Sequence, residues 1–385
     1  MKLSVEETKR MRICNFLPGG LICLAALATP LSHAAQFVIG QVAPLSGLDA
    51  GQARAYSTGL QMYLNQVNKT GGVNGNTFVL TRKDDSGRSE DTVSATRELL
   101  AESRPLVLSG YFGNRNMAAL LASGLLEKEK VPLVGYRSSE VGPATPLVYS
   151  VRAGLQDEIN KIVDHLAIVG IKRIGLFYEE GSGSALLLSS IDDAMKRTGT
   201  TLSAKASYPA GTAKVAQAVS TLAAAEPQAI ILVAGGSSTA GFVDMYRSAG
   251  GSAQLFSHSG ADIEQIAKRL SEEQMQGLAI AQVTPNPYKI SIRLTKEFND
   301  LLAKGPAPDV PVSYAMMEGY IAAKVIVEAV RRLGSKVTRE ALSSALDSMD
   351  RYDLGGYQVA FQPGMRAGSR FVELSIVSSS GRIRQ

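Results

Sequence analysis

From residue 35 onward, short apolar runs alternate with longer segments in which apolar residues recur every three or four positions. Continuous runs such as Ala229–Val233 predict strands buried on both faces of a sheet, and the longer segments have the spacing of amphipathic helices. The predicted strands are Phe37–Ala43, Phe78–Arg82, Leu106–Ser109, Pro132–Gly135, Arg173–Tyr178, Leu202–Tyr208, Ala229–Val233, Gln254–Ser257 and Leu278–Val283. The predicted helices are Tyr56–Val67, Thr92–Glu102, Met117–Lys128, Glu158–Val169, Leu186–Arg197, Lys214–Ala224 and Phe242–Ala249.

This alternation runs as one series up to a connection at Val148–Val151 and then starts again. Strands that alternate with helices of about 10–15 residues predict parallel sheets covered by helices on both faces. The predicted fold class is therefore α/β, with two doubly wound parallel-sheet lobes. A chain of 385 residues is long enough for two such units.

Composition and charge narrow the classes of function. The chain is 45% apolar with a mean hydropathy of +0.04, which is typical of a packed globular protein and argues against disorder or a polytopic membrane protein. The net charge of +5 is dispersed and no basic run stands out, so nucleic-acid binding is not expected.

The first 34 residues have the layout of a cleavable export signal. Basic residues at positions 9, 10 and 12 precede an apolar stretch, Leu21–Leu31, and Ser32-His33-Ala34 offers small residues for cleavage. The apolar stretch is shorter than the ~20 residues that span a bilayer. We therefore expect a periplasmic protein cleaved after Ala34, with translation starting at either Met1 or Met11.

Both cysteines, Cys14 and Cys23, lie in this leader. The cleaved chain would have no disulfide, no cysteine nucleophile and no cysteine zinc site. Ile22 before Cys23 does not fit a lipoprotein signal, which needs a small residue there. Cleavage would also lower the net charge from +5 to +3.

Six loops that follow predicted strands are rich in Gly and Ser. Ligands of open α/β sheets bind beyond the carboxyl ends of the strands, where Gly lets backbone N–H groups approach and Ser adds hydroxyls. Taken singly, such loops are more often helix caps and turns, but six facing one crevice favour a ligand site. The loops are Pro44–Gly47, Gly110–Arg115, Tyr136–Glu140, Glu179–Ser184, Gly235–Ser238 and Ser257–Gly260.

Two further features offer alternatives to simple binding. His258 stands beside Ser257 at a strand end, but neighbours along a strand point apart and no G-x-S-x-G elbow is present. Asp84-Asp85 could ligate a metal, yet a strand end followed by a turn cap explains the pair better. No P-loop or G-x-G-x-x-G follows a strand. We therefore expect no catalysis, no metal and no cofactor.

Short motifs also follow one another in a specific order over essentially all of the chain after residue 34. They are Ile39-Gly40, Pro44–Gly47, Gly59, Asn68–Gly75, Asp84-Asp85, Val148–Arg152 with Glu158, Gly277, Thr284–Pro287 and Leu354–Phe361. In this order and spacing the chain resembles the leucine/isoleucine/valine-binding protein family. These are type I periplasmic solute-binding proteins of ABC transporters.

The resemblance implies two lobes joined by three crossings, so that each lobe is discontinuous. It assigns residues 35–154 and 285–353 to lobe 1, and residues 155–284 and 354–385 to lobe 2. It returns a helix at Tyr314–Leu333 to lobe 1 and puts a late strand, Phe371–Val377, near lobe 2.

The resemblance also implies that loops after the third and fourth strands hold an amino-acid carboxylate with hydroxyls and backbone N–H groups. The family's aromatic residues in the second lobe are absent, and no acid stands at Ser259 to hold an ammonium. Asp262 is the nearest acid and fits a helix N-terminus. By position, the expected ligand-binding residues are Ser46, Asn114, Arg115, Tyr136, Arg137, Ser138, Ser139, Ser182, Ser237 and Ser259.

Arg115 and Arg137 are compatible with a carboxylate ligand that lacks an ammonium, although an arginine taken alone is more often a structural or solvated cation. We therefore predict a periplasmic solute-binding component of an ABC importer that takes a small polar ligand (an amino acid, amide or carboxylate) between its lobes. Hinge closure would deliver the ligand to permease subunits at the inner membrane. The protein is expected to be a monomer. The alternative is a ligand-sensing protein of the same fold that acts on a signalling partner.

Overall fold

The computed structural model describes residues 35–47, 50–181, 183–378 and 383–384, so the predicted leader lies outside the described residues. The strands are β1 Gln36–Ala43, β2 Thr77–Asp84, β3 Val107–Leu108, β4 Tyr111–Phe112, β5 Leu133–Val134, β6 Tyr136–Arg137, β7 Val148–Tyr149, β8 Arg173–Glu179, β9 Thr201–Tyr208, β10 Ala229–Val233, β11 Gln254–Ser257, β12 Ala279–Gln282, β13 Tyr352–Asp353, β14 Gln358–Val359, β15 Glu373–Val377 and β16 Ile383–Arg384.

The helices are α1 Ala50–Lys69, α2 Ser89–Ser103, α3 Asn114–Ala122, α4 Leu125–Glu129, α5 Leu155–Ile168, α6 Ser184–Thr198, α7 Ala216–Ala225, α8 Gly236–Ser248, α9 Ile263–Ala267, α10 Glu272–Met275, α11 Arg293–Lys304, α12 Tyr314–Leu333 and α13 Arg339–Asp347, with a 3₁₀ turn at Ser259–Ala261. Within the described ranges, none of these helices is long and apolar enough to cross a membrane.

Five parallel strands form the first sheet, in the order β2-β1-β3-β5-β7. The edge strand β7 lies in the segment expected to be a connection. It becomes a strand because Val148 and Tyr149 pair with Leu133 and Val134 of β5. This sheet and the helices packed on it are called the first lobe below.

Seven strands form the second sheet, in the order β16-β15-β12-β11-β10-β8-β9. Strands β8 to β12 run parallel, whereas β15 is antiparallel to β12 and β16 to β15. All five residues of β10 are buried, as expected for a strand covered on both faces. This sheet and its helices are called the second lobe. Together the two sheets confirm the predicted α/β class.

The helix α12 returns to the first lobe and packs along α1. Two glycines permit this close approach, one on each helix. A Cβ on Gly59 would lie 1.9 Å from the carbonyl oxygen of Met316, and one on Gly319 would lie 2.0 Å from that of Tyr56. Backbone contacts this short require glycine at both positions.

Two predicted boundaries differ in the structure. The single helix expected over Met117–Lys128 is broken into α3 and α4, because Gly124 adopts a left-handed conformation with φ of 64°. The segment from residue 354 was assigned to lobe 2, but Leu354 and Phe361 belong to the apolar core of the first lobe. The chain joins the second sheet only at β15. The remaining lobe boundaries stay predictions.

The strands that lead to the candidate site are each interrupted by a glycine over Tyr56. Gly110 follows β3 with φ of 72°, and Gly135 follows β5 with φ of 77°. A Cβ at Gly135 would lie 2.1 Å from the Tyr56 hydroxyl, and one at Gly110 would lie 2.8 Å from the Tyr56 ring. The chain then continues as the parallel pair β4 and β6, which carries Phe112 and Arg137 to the site.

Candidate functional site

A cavity of about 820 Å³ lies where the strand-to-helix loops of the two lobes face each other. The lobes touch across it. The side chain of Glu140, from the first lobe, packs against Gly183 of the second, and Arg115 reaches Gly211 in the same way. The lining includes Phe112–Asn116 and Tyr136–Pro143 of the first lobe, Glu179–Gly181 and Val233–Gly236 of the second, and most of the connection Ser150–Glu158.

Four helices begin at the wall of this cavity, namely α3, α5, α6 and α8. The residue that precedes each of them is a glycine that also lines the cavity: Gly113, Gly154, Gly183 and Gly235. A glycine cap has no side chain to occupy the first N–H groups of the helix. The cavity wall therefore presents several partly positive helix ends, which favour an anionic ligand.

Asn114 organises the loop after β6. Its Oδ1 accepts hydrogen bonds from the Ser138 hydroxyl and from the Ser139 N–H, both at 2.9 Å. Its Nδ2 donates to the Ser139 Oγ and to the Glu140 Oε1, both at 3.1 Å. One amide thus fixes three consecutive residues of the loop, and all four side chains line the cavity.

Tyr136 and Arg115 complete the lining from the first lobe that the sequence predicted. Tyr136 is buried, and its burial raises the pKa of its phenol to about 12, so the ring stays neutral. Arg115 is exposed at the start of α3 and lies beside Gly211 of the second lobe. Its long side chain places a cation at the mouth of the cavity, and it is not part of a buried network.

Arg137 differs from Arg115 because its guanidinium is buried and joins the lobes. Its Nη1 donates to Asp262 Oδ2 at 3.1 Å and to Gln52 Oε1 at 3.0 Å, and its Nη2 donates to the carbonyl of Ser259 at 3.1 Å. Glu318 lies 3.5 Å from the same Nη2. Asp262 also caps α9, since its Oδ1 accepts from the N–H of Gln265.

A second buried ion pair lies next to the first. Arg152 Nη2 contacts Glu158 Oε1 at 3.0 Å and is also hydrogen bonded to the Ser259 hydroxyl. Glu158 accepts from the Ser259 N–H at 2.6 Å and from its Oγ–H at 2.9 Å. Ser259 is therefore fully used in holding Glu158, and it is not among the residues that line the cavity.

The predicted binding residues that the structure describes fall into those that line the cavity and those that do not. Asn114, Arg115, Tyr136, Arg137, Ser138 and Ser139 line one cavity. Ser46 and Ser237 do not: the Ser46 hydroxyl is 3.1 Å from that of Ser86, and it is Gly235 and Gly236, not Ser237, that line the cavity from α8. Ser182 lies outside the described residues. Ser46, Ser237 and Ser259 are accordingly left out of the site proposed below.

Several charged residues of the site carried no role in the sequence interpretation. Arg152 and Glu158 appeared only as motif residues, and Glu318 was not singled out. A signal for Glu318 was present, because it stands on the otherwise largely apolar helix α12 and a buried charge requires a partner. Its partners come from β6 and from residue 152, which the sequence places far away.

The geometry does not assemble the catalytic or metal alternatives within the described residues. His258 accepts from the Gly260 N–H at Nδ1 and faces the Ala234 carbonyl with Nε2, and burial lowers its pKa. The Ser257 hydroxyl bonds to backbone carbonyls instead. Asp85 accepts from Gly87 N–H and the Thr92 hydroxyl. No group of three His, Cys, Asp or Glu that could hold a metal ion occurs in this part of the chain.

Comparison with known proteins places this architecture in a family. A family model described as periplasmic binding protein matches residues 36–372. A substrate-binding periplasmic protein from Ralstonia solanacearum is 37% identical with a TM-score of 0.83, over 91% of this chain and 99% of that chain.

More distant proteins are similar over the same length. Leu/Ile/Val-binding protein homolog 8 of Brucella suis biovar 1 is 22% identical over 91% of each chain. A fatty acid ABC transporter substrate-binding protein from Thermomonospora curvata shares the fold at 20% identity, with a TM-score of 0.79 over 91% of this chain and 92% of that one. The chain belongs to the periplasmic binding protein family, within its leucine/isoleucine/valine-binding-like type I branch.

Proposed function

We propose that this protein is the periplasmic solute-binding component of an ABC importer and that it binds a small carboxylate ligand between its lobes. The cavity of about 820 Å³, enclosed by loops of both lobes and faced by four glycine-capped helix starts, is the observation that carries the proposal. The similarity to a fatty acid ABC transporter substrate-binding protein from Thermomonospora curvata supports the transport role.

The proposed anchor for the carboxylate is the loop after β6 together with the start of α3. The Ser139 Oγ accepts from Asn114 Nδ2, so its own proton can turn to a ligand oxygen. Ser138, fixed by Asn114 Oδ1, stands beside it. Arg115 at the cavity mouth adds a cation that can pair with the bound anion.

Hinge closure would link binding to delivery. Tyr357 belongs to the first-lobe core, and its hydroxyl donates to the carbonyls of Val151 at 2.8 Å and Val283 at 3.1 Å. One buried side chain thus joins the two segments that precede the predicted crossings after residues 154 and 284, and we propose that it is a fixed pivot of the hinge. Only the closed, liganded form is proposed to dock productively on the permease.

Export is part of the proposal. The protein expressed with its leader should be recovered from the periplasm, and its N-terminus should be near Ala35 or Gln36. Peptide mapping of the periplasmic and cytosolic fractions would test this, and an uncleaved chain confined to the cytosol would contradict it.

A thermal-shift screen tests the binding function. The refolded, ligand-stripped chain would be screened against carboxylates, their primary amides and amino acids. A ligand at about 100 times its dissociation constant stabilises the folded state by ~2.7 kcal/mol, which corresponds to a midpoint rise of several degrees. At least one acid, and not its amide, should produce this rise and be recovered unaltered. Turnover of a bound compound, or no response to any acid, would contradict the proposal.

A further inference from the structure

Two buried arginines that line the cavity, Arg137 and Arg152, are paired with nearby carboxylates. Arg137 lines the cavity, whereas its partners Asp262 and Glu318 do not. The side chains of Arg137, Asp262 and Glu318 are 5%, 2% and 2% exposed, so the ion pairs are shielded from water. The guanidinium therefore separates both acids from any bound molecule.

Glu158 does line the cavity, but protein groups use both of its oxygens. Oε1 is shared by Arg152 and the Ser259 hydroxyl, and Oε2 accepts from the Ser259 N–H. The other lining acids also accept hydrogen bonds from the protein: Glu140 from Asn114, Asp157 from Gly154, Glu179 from Gly211 and Glu180 from Ser207.

One N–H group of the Arg137 guanidinium is available to a ligand. While Nη1 and Nη2 are bound to the second lobe and to Gln52, its Nε is buried and has no hydrogen-bond partner in the part of the chain that the structure describes. A buried N–H without a partner is costly unless a ligand supplies an acceptor. An oxygen of an anionic ligand would satisfy it, whereas an ammonium, which only donates, would not.

We infer that Arg137 makes this cavity selective for carboxylates that carry no ammonium group on the neighbouring carbon. The inference rests on the proposed function and names its ligand class. Arg137 takes the pairing capacity of Asp262 that an ammonium would need, and it places a fixed positive charge at the wall. A desolvated ammonium beside that guanidinium meets like-charge repulsion.

The test compares acids with amino acids of the same carbon skeleton. The pairs are 4-methylpentanoate with leucine, 3-phenylpropanoate with phenylalanine, and glutarate with glutamate. Calorimetry would measure both members on the stripped wild type, on Arg137→Met and on Arg339→Met. Arg339 donates to backbone carbonyls of the first lobe and does not line the cavity, so it is a matched control.

The ratio of affinities within a pair is the readout, because a change in folding or in closure affects both members alike. In the wild type, the acid of at least one pair should bind at least about tenfold more tightly than the amino acid. In Arg137→Met, uncovered Asp262 and Glu318 should move that ratio toward the amino acid by at least about tenfold, and adding Asp262→Asn should reverse part of the change. Arg339→Met should leave the ratio unchanged.

A wild type that binds the amino acid as tightly as the acid would overturn the inference, as would an Arg137→Met ratio equal to that of wild type. If Arg137→Met does not fold, Arg137→Gln takes its place under the same criteria. If no acid binds the wild type, the proposed carboxylate function fails. The inference is then decided separately, by whether Arg137→Met gains amino-acid binding.

Discussion

The hydrogen bonds that a side chain already makes within the protein decide whether it can also donate to a ligand. Ser138 donates its proton to Asn114 Oδ1 at 2.9 Å and accepts from the Glu140 N–H at 3.3 Å, so it chiefly supports the loop. Ser139 Oγ accepts an N–H from Asn114 Nδ2, and its distance of 3.3 Å to Asn114 Oδ1 makes that contact longer and weaker than the 2.9 Å bond of Ser138. Ser139 is thus the better placed donor toward a ligand.

Replacing Ser139 by Ala should therefore remove a charge-assisted hydrogen bond worth ~1.5–3 kcal/mol and weaken carboxylate binding about 10- to 150-fold. Ser138→Ala should have a smaller effect, since it loosens Asn114 without removing a ligand contact. Ser237→Ala, outside the cavity lining, is the control. Calorimetry with the acid from the thermal-shift screen measures all three, and equal affinities of wild type and Ser139→Ala would show that the carboxylate lies elsewhere.

Glu264 is a second residue whose surroundings make a measurable prediction. Its Oε1 accepts from the Tyr288 hydroxyl at 2.6 Å and from the Tyr314 N–H at 3.0 Å. Burial, and then the nearby charge of Asp262, raise the pKa of Glu264 to about 8. The folded state therefore holds a proton that the unfolded state releases near its ordinary pKa of 4.5.

Because the folded pKa is raised, Glu264 contributes most to stability below about pH 4.5, and the contribution is lost as the pH rises toward 8. Glu264→Gln keeps an acceptor for Tyr288 and Tyr314 but cannot ionise. The free energy of unfolding of this variant, relative to wild type, should thus increase between pH 5 and pH 8 and level off above. Urea titrations at matched pH values measure the difference, and a difference that does not change with pH would contradict the assignment.

How far single residues could be predicted depends on how local their signal is. Asn114, Ser138 and Ser139 follow strand ends directly, so a local pattern located them at the cavity. Ser259 follows a strand end in the same way, yet Glu158, 101 positions earlier, takes its hydroxyl and its N–H. Whether Arg137 was solvated or buried likewise depended on Asp262 and Glu318, which only tertiary structure brings near.

Elements are positioned by close contacts that the hydrophobic pattern cannot specify. The family resemblance implied a helix over Tyr314–Leu333, which is α12, but it says nothing of how closely α12 and α1 approach. Gly59 and Gly319 set that distance, since neither site has space for a Cβ. The break between α3 and α4 was missed for a similar reason, because Gly124 interrupts a run whose apolar spacing continues on both sides.

Gly319→Ala should therefore destabilise the protein at the upper end of the ~1–3 kcal/mol typical of overpacking, because the obstructing atom is backbone. Gly241→Ala on α8 is the matched control, since its new Cβ would meet only Val215 Cγ2 at 3.7 Å. Helix propensity predicts that the control gains up to about 1 kcal/mol. Urea unfolding of both variants checks this, and a similar loss in both would mean that the α1–α12 contact is not the cause.

At the scale of the whole molecule, the two lobes meet through charged and polar contacts around a large cavity. The Arg137–Asp262 pair and the packing of Glu140 on Gly183 both link the first lobe to the second. Such contacts can re-form after opening, which suits a hinge better than a continuous apolar interface would. The two-lobed class was predictable from the repeated βα pattern. The resemblance implied a third crossing but placed it too early, because 354–361 packs on the first core through four scattered apolar residues.

The central claim is that the lobes close on an unaltered ligand, and the distance between them measures it directly. Residues 35–385 contain no cysteine, so Lys128→Cys on α4 and Lys196→Cys on α6 give two exposed, unique positions for spin labels. Pulsed electron–electron double resonance would measure the distance between the two labels in ligand-stripped protein and in protein saturated with an acid. The acid is whichever of 4-methylpentanoate, 3-phenylpropanoate or glutarate raises the unfolding midpoint most. We expect one shorter, narrower distance distribution with the acid bound and a longer, broader one without it. Identical distributions in the two states would contradict closure on the ligand.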